Sequence, residues 1–323
     1  MVDNGSREQE FVSSLPRACP GFCGRIVITS VSGDITYSQC QACNWGSRSW
    51  GNGTLCTVCL EPLPLYDWLY LLFIAVIPLL FHSLFIYMYT SNNCSRKLQF
   101  AHYMSCFVEC SLSSVLSLLV VSPKGSLHLY GCRKWSLREW YPVFYNPIIN
   151  HSYTLRCAHE VVFPLYSLPF IYFGFCSLAL FTLRSFLYFT VFRKSYVNSK
   201  PYYAALHTLP LLALVHFFFA GLLYYSFPFI TLICSLIINA VHMALVRGRR
   251  ISTVCKRAVS HLKNVLMLFV HIVLFGFSLV VLMLNFSSEK WFLIISVLCL
   301  PLPLLYYCFM AGLSHPKFVH YFL

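Results

Sequence analysis

Hydrophobic residues run almost unbroken from Leu65 to Tyr89, LYDWLYLLFIAVIPLLFHSLFIYMY, with one Asp near the start and no Lys or Arg inside. At about 1.5 Å per residue, a helix over this stretch reaches roughly 37 Å, enough to cross a bilayer with some tilt. Tyr66, Trp68 and Tyr70 at one end and Tyr87 and Tyr89 at the other form the aromatic belts of a membrane span. Pro78 in the middle is tolerated where neighbouring helices satisfy the carbonyl it frees. Similar runs predict spans near 99–121, 161–183, 203–225, 228–246, 262–284 and 291–312. The run from Tyr202 to Val246 exceeds one crossing, and Pro228, just after polar Ser226, is the expected hairpin point. The pattern predicts an all-α polytopic membrane protein with seven transmembrane helices and its termini on opposite sides. Residues 1–64 are polar and Cys-rich and form a small N-terminal module. Residues 65–313 form the membrane domain, with a long loop over 122–160, and 314–323 form a short tail.

Composition agrees. The chain is 58% hydrophobic and only 10% charged, against about 25% charged residues in soluble domains. A formal net charge of +13 would suggest nucleic acid in a soluble protein. Here the basic residues gather in short connections, which is the positive-inside pattern, so nucleic acid is not an expected partner. The 90–98 connection carries two Lys/Arg, 184–202 carries four (Arg184, Arg193, Lys194, Lys200), and 247–261 carries five (Arg247, Arg249, Arg250, Lys256, Arg257). The opposite face carries none at 226–227 and one, Lys290, at 285–290. The 122–160 loop has five basic residues on that face, but longer loops obey the rule less strictly. The N-terminus is therefore expected in the lumen and the C-terminal tail in the cytosol. Residues 1–18 lack the apolar core of a cleaved signal peptide. The first span, flanked by Glu61 and Asp67 before and Arg96 and Lys97 after, is expected to carry the N-terminal segment across.

That orientation changes how the cysteines read. Cys19, Cys23, Cys40, Cys43, Cys56 and Cys59 precede the first span, and the inner four spell C-x2-C-x12-C-x2-C. In the cytosol this spacing would suit a zinc ribbon. In the lumen, disulfides replace the core that so small a segment cannot build, and they are the expected state. Sequence leaves the pairing among the six open. A CxxC oxidoreductase has no supporting βαβ pattern around either pair. Cys132 and Cys157 share the 122–160 loop and either close it by a disulfide or remain two thiols. Asn52 opens the sequon NGT and Asn150 opens NHS, both in segments assigned to the lumen, where glycans are attached.

Polar groups inside the spans are the other candidates. Glu109 is mid-span in the second helix, and an unpaired carboxylate there is costly, so it is expected to be protonated or paired within the bundle. His102 lies seven residues earlier on the same helical face. His82, His207, His216, His242 and His271 are also within spans. They suit either a proton or metal relay or, more simply, interhelical hydrogen bonds that fix the bundle. Catalytic motifs are wanting. His159-Glu160-Val161-Val162-Phe163 starts like a zinc-protease helix, but Phe163 stands where the second zinc ligand belongs. No G-x-S-x-G elbow or paired-aspartate arrangement occurs in the spans. Neither an enzyme nor a cofactor is expected.

The Cys-rich block is followed by PLYDWLYL at 64–71, FVEC at 107–110, WYPVFYNP at 140–147 and CAHEVVFPLY at 157–166. FIYFGFC at 170–176, YAAL at 203–206 and GLLYYSFPFI at 221–230 come next. This series resembles the c-Jun N-terminal kinase-associated membrane protein family over residues 19 to 230; from Arg247 onward only the hydrophobic pattern is similar. The resemblance implies a seven-span protein of the endoplasmic reticulum. It implies a scaffold that recruits proteasome subunits and the machinery of ER-associated degradation, prolongs c-Jun N-terminal kinase signalling under stress, and is a target of a membrane RING-type ubiquitin ligase. The basic 247–261 connection, with Arg247, Arg249, Arg250, Lys256 and Arg257, is the richest cytosolic surface for such partners. Two other readings of the same residues are a seven-span surface receptor with a Cys-rich ectodomain and a proton-coupled transporter using Glu109. The two-residue connection expected at 226–227 counts against the receptor.

Overall fold

The computed structural model describes residues 18–30, 33–44, 46–50, 55–89, 96–132, 136–141, 162–187, 189–190, 200–245, 262–286, 298 and 301–313. They fall into two compact units, Met1–Leu222 and Leu223–Leu323.

The first unit begins with short antiparallel strand pairs. Strands β1 (Val27–Thr29) and β2 (Ile35–Tyr37) pair with Val27 opposite Tyr37 and Thr29 opposite Ile35. Strands β3 (Ser47–Trp50) and β4 (Leu55–Val58) pair with Ser47 opposite Val58. The two hairpins are linked where the Cys56 amide donates to the Arg25 carbonyl at 2.9 Å. The largest apolar side chains here do not make a core: Val27, Ile28, Ile35, Val58 and Leu60 are exposed, while Cys19 and Cys23 are buried beside Phe22 and Cys40. Sulfur replaces hydrocarbon as the interior of this module, as its size requires.

Strand β5 (Glu61–Pro62) pairs with β6 (Tyr130–Gly131), which lies beyond the next two helices. Those helices are α1 (Leu65–Tyr89) and α2 (Arg96–Val120). Helix α3 (Leu168–Ala179) packs on both and continues through a π-helical turn, Leu180–Arg184, into Ser185–Leu187. Helix α4 (Lys200–Leu245), α5 (Leu262–Phe286) and α6 (Leu302–Leu313) complete the chain. The arrangement of α2 shows its solvent. Ser105, Cys106, Glu109, Cys110, Ser113 and Ser117 are buried at helical spacing, while Phe100, Phe107, Val108, Leu112 and Val115 point outward. Large apolar groups outside and small or polar ones inside is the reverse of a soluble helix, and it is how helices pack in lipid. This is a multi-pass membrane protein.

Among the described residues, five helical segments are long and apolar enough to cross a bilayer: Leu65–Tyr89, Lys97–Val120, Ser167–Leu187, Lys200–His242 and Asn264–Leu284. Seven spans were expected, and two departures account for the difference. First, the hairpin expected at 226–227 is absent, because α4 is helical through Ser226 and Pro228. Ser226 and Pro228 are accommodated within the helix, Pro228 freeing a single carbonyl. The argument against a receptor that rested on this connection goes with it. Second, the expected span at 291–312 is represented by the twelve-residue α6 and Leu298, the remainder lying outside the described residues. The third span starts at Ser167 rather than near 161, since Pro169 is accommodated in the first helical turn and the chain before it forms turns.

Candidate functional site

The membrane part of the first unit is built around one ion pair. Helix α1 turns a single stripe inward, Asp67, Tyr70, Ile74, Pro78, His82 and Ile86, each about one helical turn from the last. Helix α2 answers with His102, Cys106 and Glu109, all buried. The third contributor is Arg184, at the end of the π turn that follows α3. Arg184 donates from Nε to Glu109 Oε1 at 3.1 Å and from Nη2 to Glu109 Oε2 at 2.5 Å. Nη2 also reaches Cys106 Sγ at 2.9 Å. Glu109 is 1% exposed and Arg184 2%. Two parallel N–H···O contacts to one carboxylate are the strongest form of this pair. The expectation that Glu109 is either protonated or paired resolves to pairing. The assignment of Arg184 to the 184–202 cytosolic connection is corrected: it belongs to the span, and Lys200 opens α4.

His82 lies in the same cluster. The residue is 2% exposed, and among the described residues neither Nδ1 nor Nε2 has a hydrogen-bond partner. A nitrogen of His82, Cys106 Sγ and a Glu109 oxygen all lie within 4.8 Å of one another. The remaining span histidines divide. The Nε2 of His216 sits 3.0 Å from the Tyr166 carbonyl, and its ring packs edge-on against Phe170. His207 is exposed and bonds back to Tyr203 on its own helix. In the second unit, His271 Nδ1 lies 2.7 Å from Ser235 Oγ, and Ser278 Oγ donates to Thr231 Oγ1 at 2.7 Å, a polar seam joining α4 and α5. His242 is buried on α4, its Nε2 without a hydrogen-bond partner among the described residues.

The cysteines pair as Cys19–Cys40, Cys43–Cys56 and Cys59–Cys132, with Cα separations of 5.6, 5.5 and 5.0 Å. Cys23 is also disulfide-bonded. Each C-x2-C pair is split between partners, which is incompatible with two zinc knuckles. Gly24 makes room for one bridge, since a Cβ there would stand 2.7 Å from Cys56 Sγ and 2.9 Å from Cys43 Sγ. The Cys132–Cys157 closure is corrected: Cys132 bonds Cys59, and Cys157 lies outside the described residues. The module is thus not closed on itself. Besides Cys59–Cys132 and the β5–β6 pair, Arg48 Nη2 donates to Glu139 Oε1 at 3.1 Å, both residues being buried. These ties place the start of α1 and the end of α2 on one face.

Beyond Glu139, a short 3₁₀ turn (Leu137–Trp140) carries Trp140 into the bundle at 1% exposure. Its ring meets Tyr70 edge-on at 6.3 Å, and Tyr70 donates to the Ala220 carbonyl at 3.4 Å. Gly221 on α4 is the reason Trp140 fits: a Cβ there would lie 2.7 Å from Trp140 Cβ and 2.9 Å from Tyr141 Cε2. Gly221→Ala is expected to destabilise the protein by about 1–3 kcal/mol through overpacking. Thermal unfolding in nanodiscs checks it, and an unchanged midpoint would mean that Trp140 is not seated there.

Sequence reasoning missed Arg184, Arg48 and Glu139. The first carried a signal, because a mid-span carboxylate demands a nearby cation and Arg184 borders an apolar run. Asn52, Asn150, Arg247, Arg249, Arg250, Lys256 and Arg257 lie outside the described residues.

The profile of the family described as JNK1/MAPK8-associated membrane protein matches residues 19–316. The chain belongs to this family. The match continues well past residue 230, where the motif-level resemblance ended. A Caenorhabditis elegans relative named JNK1/MAPK8-associated membrane protein homolog is 34% identical over 317 residues, covering 94% of this chain and 95% of its own length. The human and mouse JNK1/MAPK8-associated membrane proteins are each 34% identical over 304 residues, covering 93% of this chain and 94% of theirs. No solved structure matches.

Proposed function

We propose that this protein is a non-enzymatic scaffold of the endoplasmic reticulum membrane. In this reading it recruits proteasome subunits and the ER-associated degradation machinery, binds c-Jun N-terminal kinase, and is regulated by a membrane RING-type ubiquitin ligase. The observation that carries the kinase link is the near full-length similarity to relatives named as JNK1/MAPK8-associated membrane proteins. The disulfides support a lumenal module, because such bridges persist in oxidising compartments. With α1 starting and α2 ending on that face, the other ends of these helices, at Tyr89 and Arg96, are read as cytosolic. The mechanism is co-localisation: several weak partners held on one membrane platform meet at a raised effective concentration. The basic 247–261 connection is the expected kinase contact, complementary to an acidic groove.

The test is affinity purification of the full-length protein from stressed cells, with glycosidase digestion of the same material. Kinase and proteasome subunits are expected to co-purify, and exchanging Arg249, Arg250, Lys256 and Arg257 for Glu is expected to remove most of the kinase. Glycans at Asn52 or Asn150 are expected to stay Endo H-sensitive. An Endo H-resistant glycan, with no kinase or proteasome recovered, would sink the scaffold and favour the surface receptor.

A further inference from the structure

We infer that His82, Cys106 and Glu109 form a metal site inside the membrane, taking one divalent transition ion with the ligand preference of zinc, and that Arg184 holds the place of that cation. The three donor atoms lie within 4.8 Å of one another, and their residues are 2%, 0% and 1% exposed. Cys106 and Glu109 are spaced i, i+3 on α2 and face the same way, while His82 comes from the neighbouring α1. Imidazole nitrogen, thiolate sulfur and carboxylate oxygen are the donor types zinc accepts, and the three leave a fourth tetrahedral position for water or another ligand.

His82 is the observation that points to a ligand rather than to an ion pair alone. Arg184 already satisfies Glu109 and contacts Cys106. Neither contact involves His82, whose two buried nitrogens have no hydrogen-bond partner among the described residues. A buried imidazole left in that state costs stability and is not needed to hold Glu109. A cation at the centre of the three residues supplies the missing partner. Tetrahedral zinc spaces its ligand atoms about 3.3–3.8 Å apart, so the cluster contracts by about an ångström once the guanidinium leaves.

The charges balance. The ion takes neutral His82, the Glu109 carboxylate and the Cys106 thiolate. The Cys106 thiol proton is released to water, and no electron is transferred. Two positive charges against two negative ones leave a neutral centre, as a low-dielectric interior demands. Arg184 loses its partner in the exchange, and it belongs to the half of its helix nearer the basic connection that begins at Arg193. From there its long aliphatic stem lets the guanidinium swing away from the ion toward that end of the span. Arg184 also terminates a π turn, a distortion that recurs at functional positions in helices.

The experiment uses the full-length protein in nanodiscs with its disulfides intact, loaded with Co²⁺ as a spectroscopic probe and with Zn²⁺ for stoichiometry. The expected result is one ion per chain, with tetrahedral d–d bands and a thiolate-to-cobalt charge-transfer band. Cys106→Ala and His82→Ala are expected to lose both signals, and Cys234→Ser, which changes an exposed free thiol, is expected to keep them. His82→Leu, which keeps most of the buried volume and removes the unsatisfied nitrogens, should have an unfolding midpoint without metal that matches or exceeds that of the parent protein. Arg184→Gln is expected to bind about tenfold more tightly or better, because a competing cation is gone. Absence of metal in both the parent protein and Arg184→Gln at saturating Co²⁺ would overturn the site. So would undiminished binding in His82→Ala and Cys106→Ala, which would place an adventitious ion on other thiols.

Discussion

Replacing Arg184 with leucine is expected to destabilise the membrane bundle by about 3–5 kcal/mol, the cost of breaking a buried pair from one side. The change strands the Glu109 carboxylate at 1% exposure and removes both of its N–H donors. Glu109→Leu is expected to act in the same direction, leaving the guanidinium unpaired. The double variant Glu109→Leu/Arg184→Leu is expected to recover most of the loss. With both charges gone nothing buried needs compensation, and apolar replacements of buried pairs are commonly neutral. Unfolding midpoints of the four proteins in nanodiscs with a chelator present form a double-mutant cycle. A coupling near zero would show that the pair does not form in the membrane. A double variant as unstable as the singles would show that the polar cluster is needed for assembly itself.

Removing the Cys59–Cys132 bridge as Cys59→Ser/Cys132→Ser is expected to cost about 4 kcal/mol, since the loop it closes spans 73 residues. Cys19→Ser/Cys40→Ser closes only 21 and is expected to cost about 3 kcal/mol. The two variants should also differ in kind. Without Cys59–Cys132 the module is held to the loop after α2 by the two-residue β5–β6 pair and by Arg48–Glu139. Protease added on that face should therefore release the module as a fragment. Without Cys19–Cys40 the module should loosen internally but stay attached. Equal fragment release from both variants would mean that Cys59–Cys132 has no special role in attachment.

The site was legible in part, and the division is physical. A carboxylate in the middle of an apolar run identifies itself, because lipid makes an unpaired charge expensive wherever the helix sits. Glu109 was found for that reason. Its partner was not, because Arg184 falls just past the apolar run at 161–183 and reads as the first basic residue of a cytosolic connection, and a count of charges cannot see that a π turn keeps it inside the span. Likewise, six cysteines before a span in the lumen imply disulfides, whereas Cys59 choosing Cys132 over its C-x2-C neighbour depends on α1 and α2 returning the chain to the same face.

From the sequence alone came the membrane class, the placement of the first two spans, the cysteine-stapled module and the family resemblance. All of these rest on composition or short-range order, which act on each segment independently of the others. Only the tertiary structure decided the disulfide partners, the Arg48–Glu139 tie, the seat of Trp140 against Gly221, the Glu109–Arg184 pair, and the helical path through Pro228. The first four join residues that are not neighbours in sequence: Cys19–Cys40 and Cys43–Cys56 meet through the strand pairs of the module, and the others where the helices bring distant segments together. The last reflects the helical order of the apolar residues on both sides, which outweighs the local turn signal at Ser226 and Pro228 at the cost of one freed carbonyl.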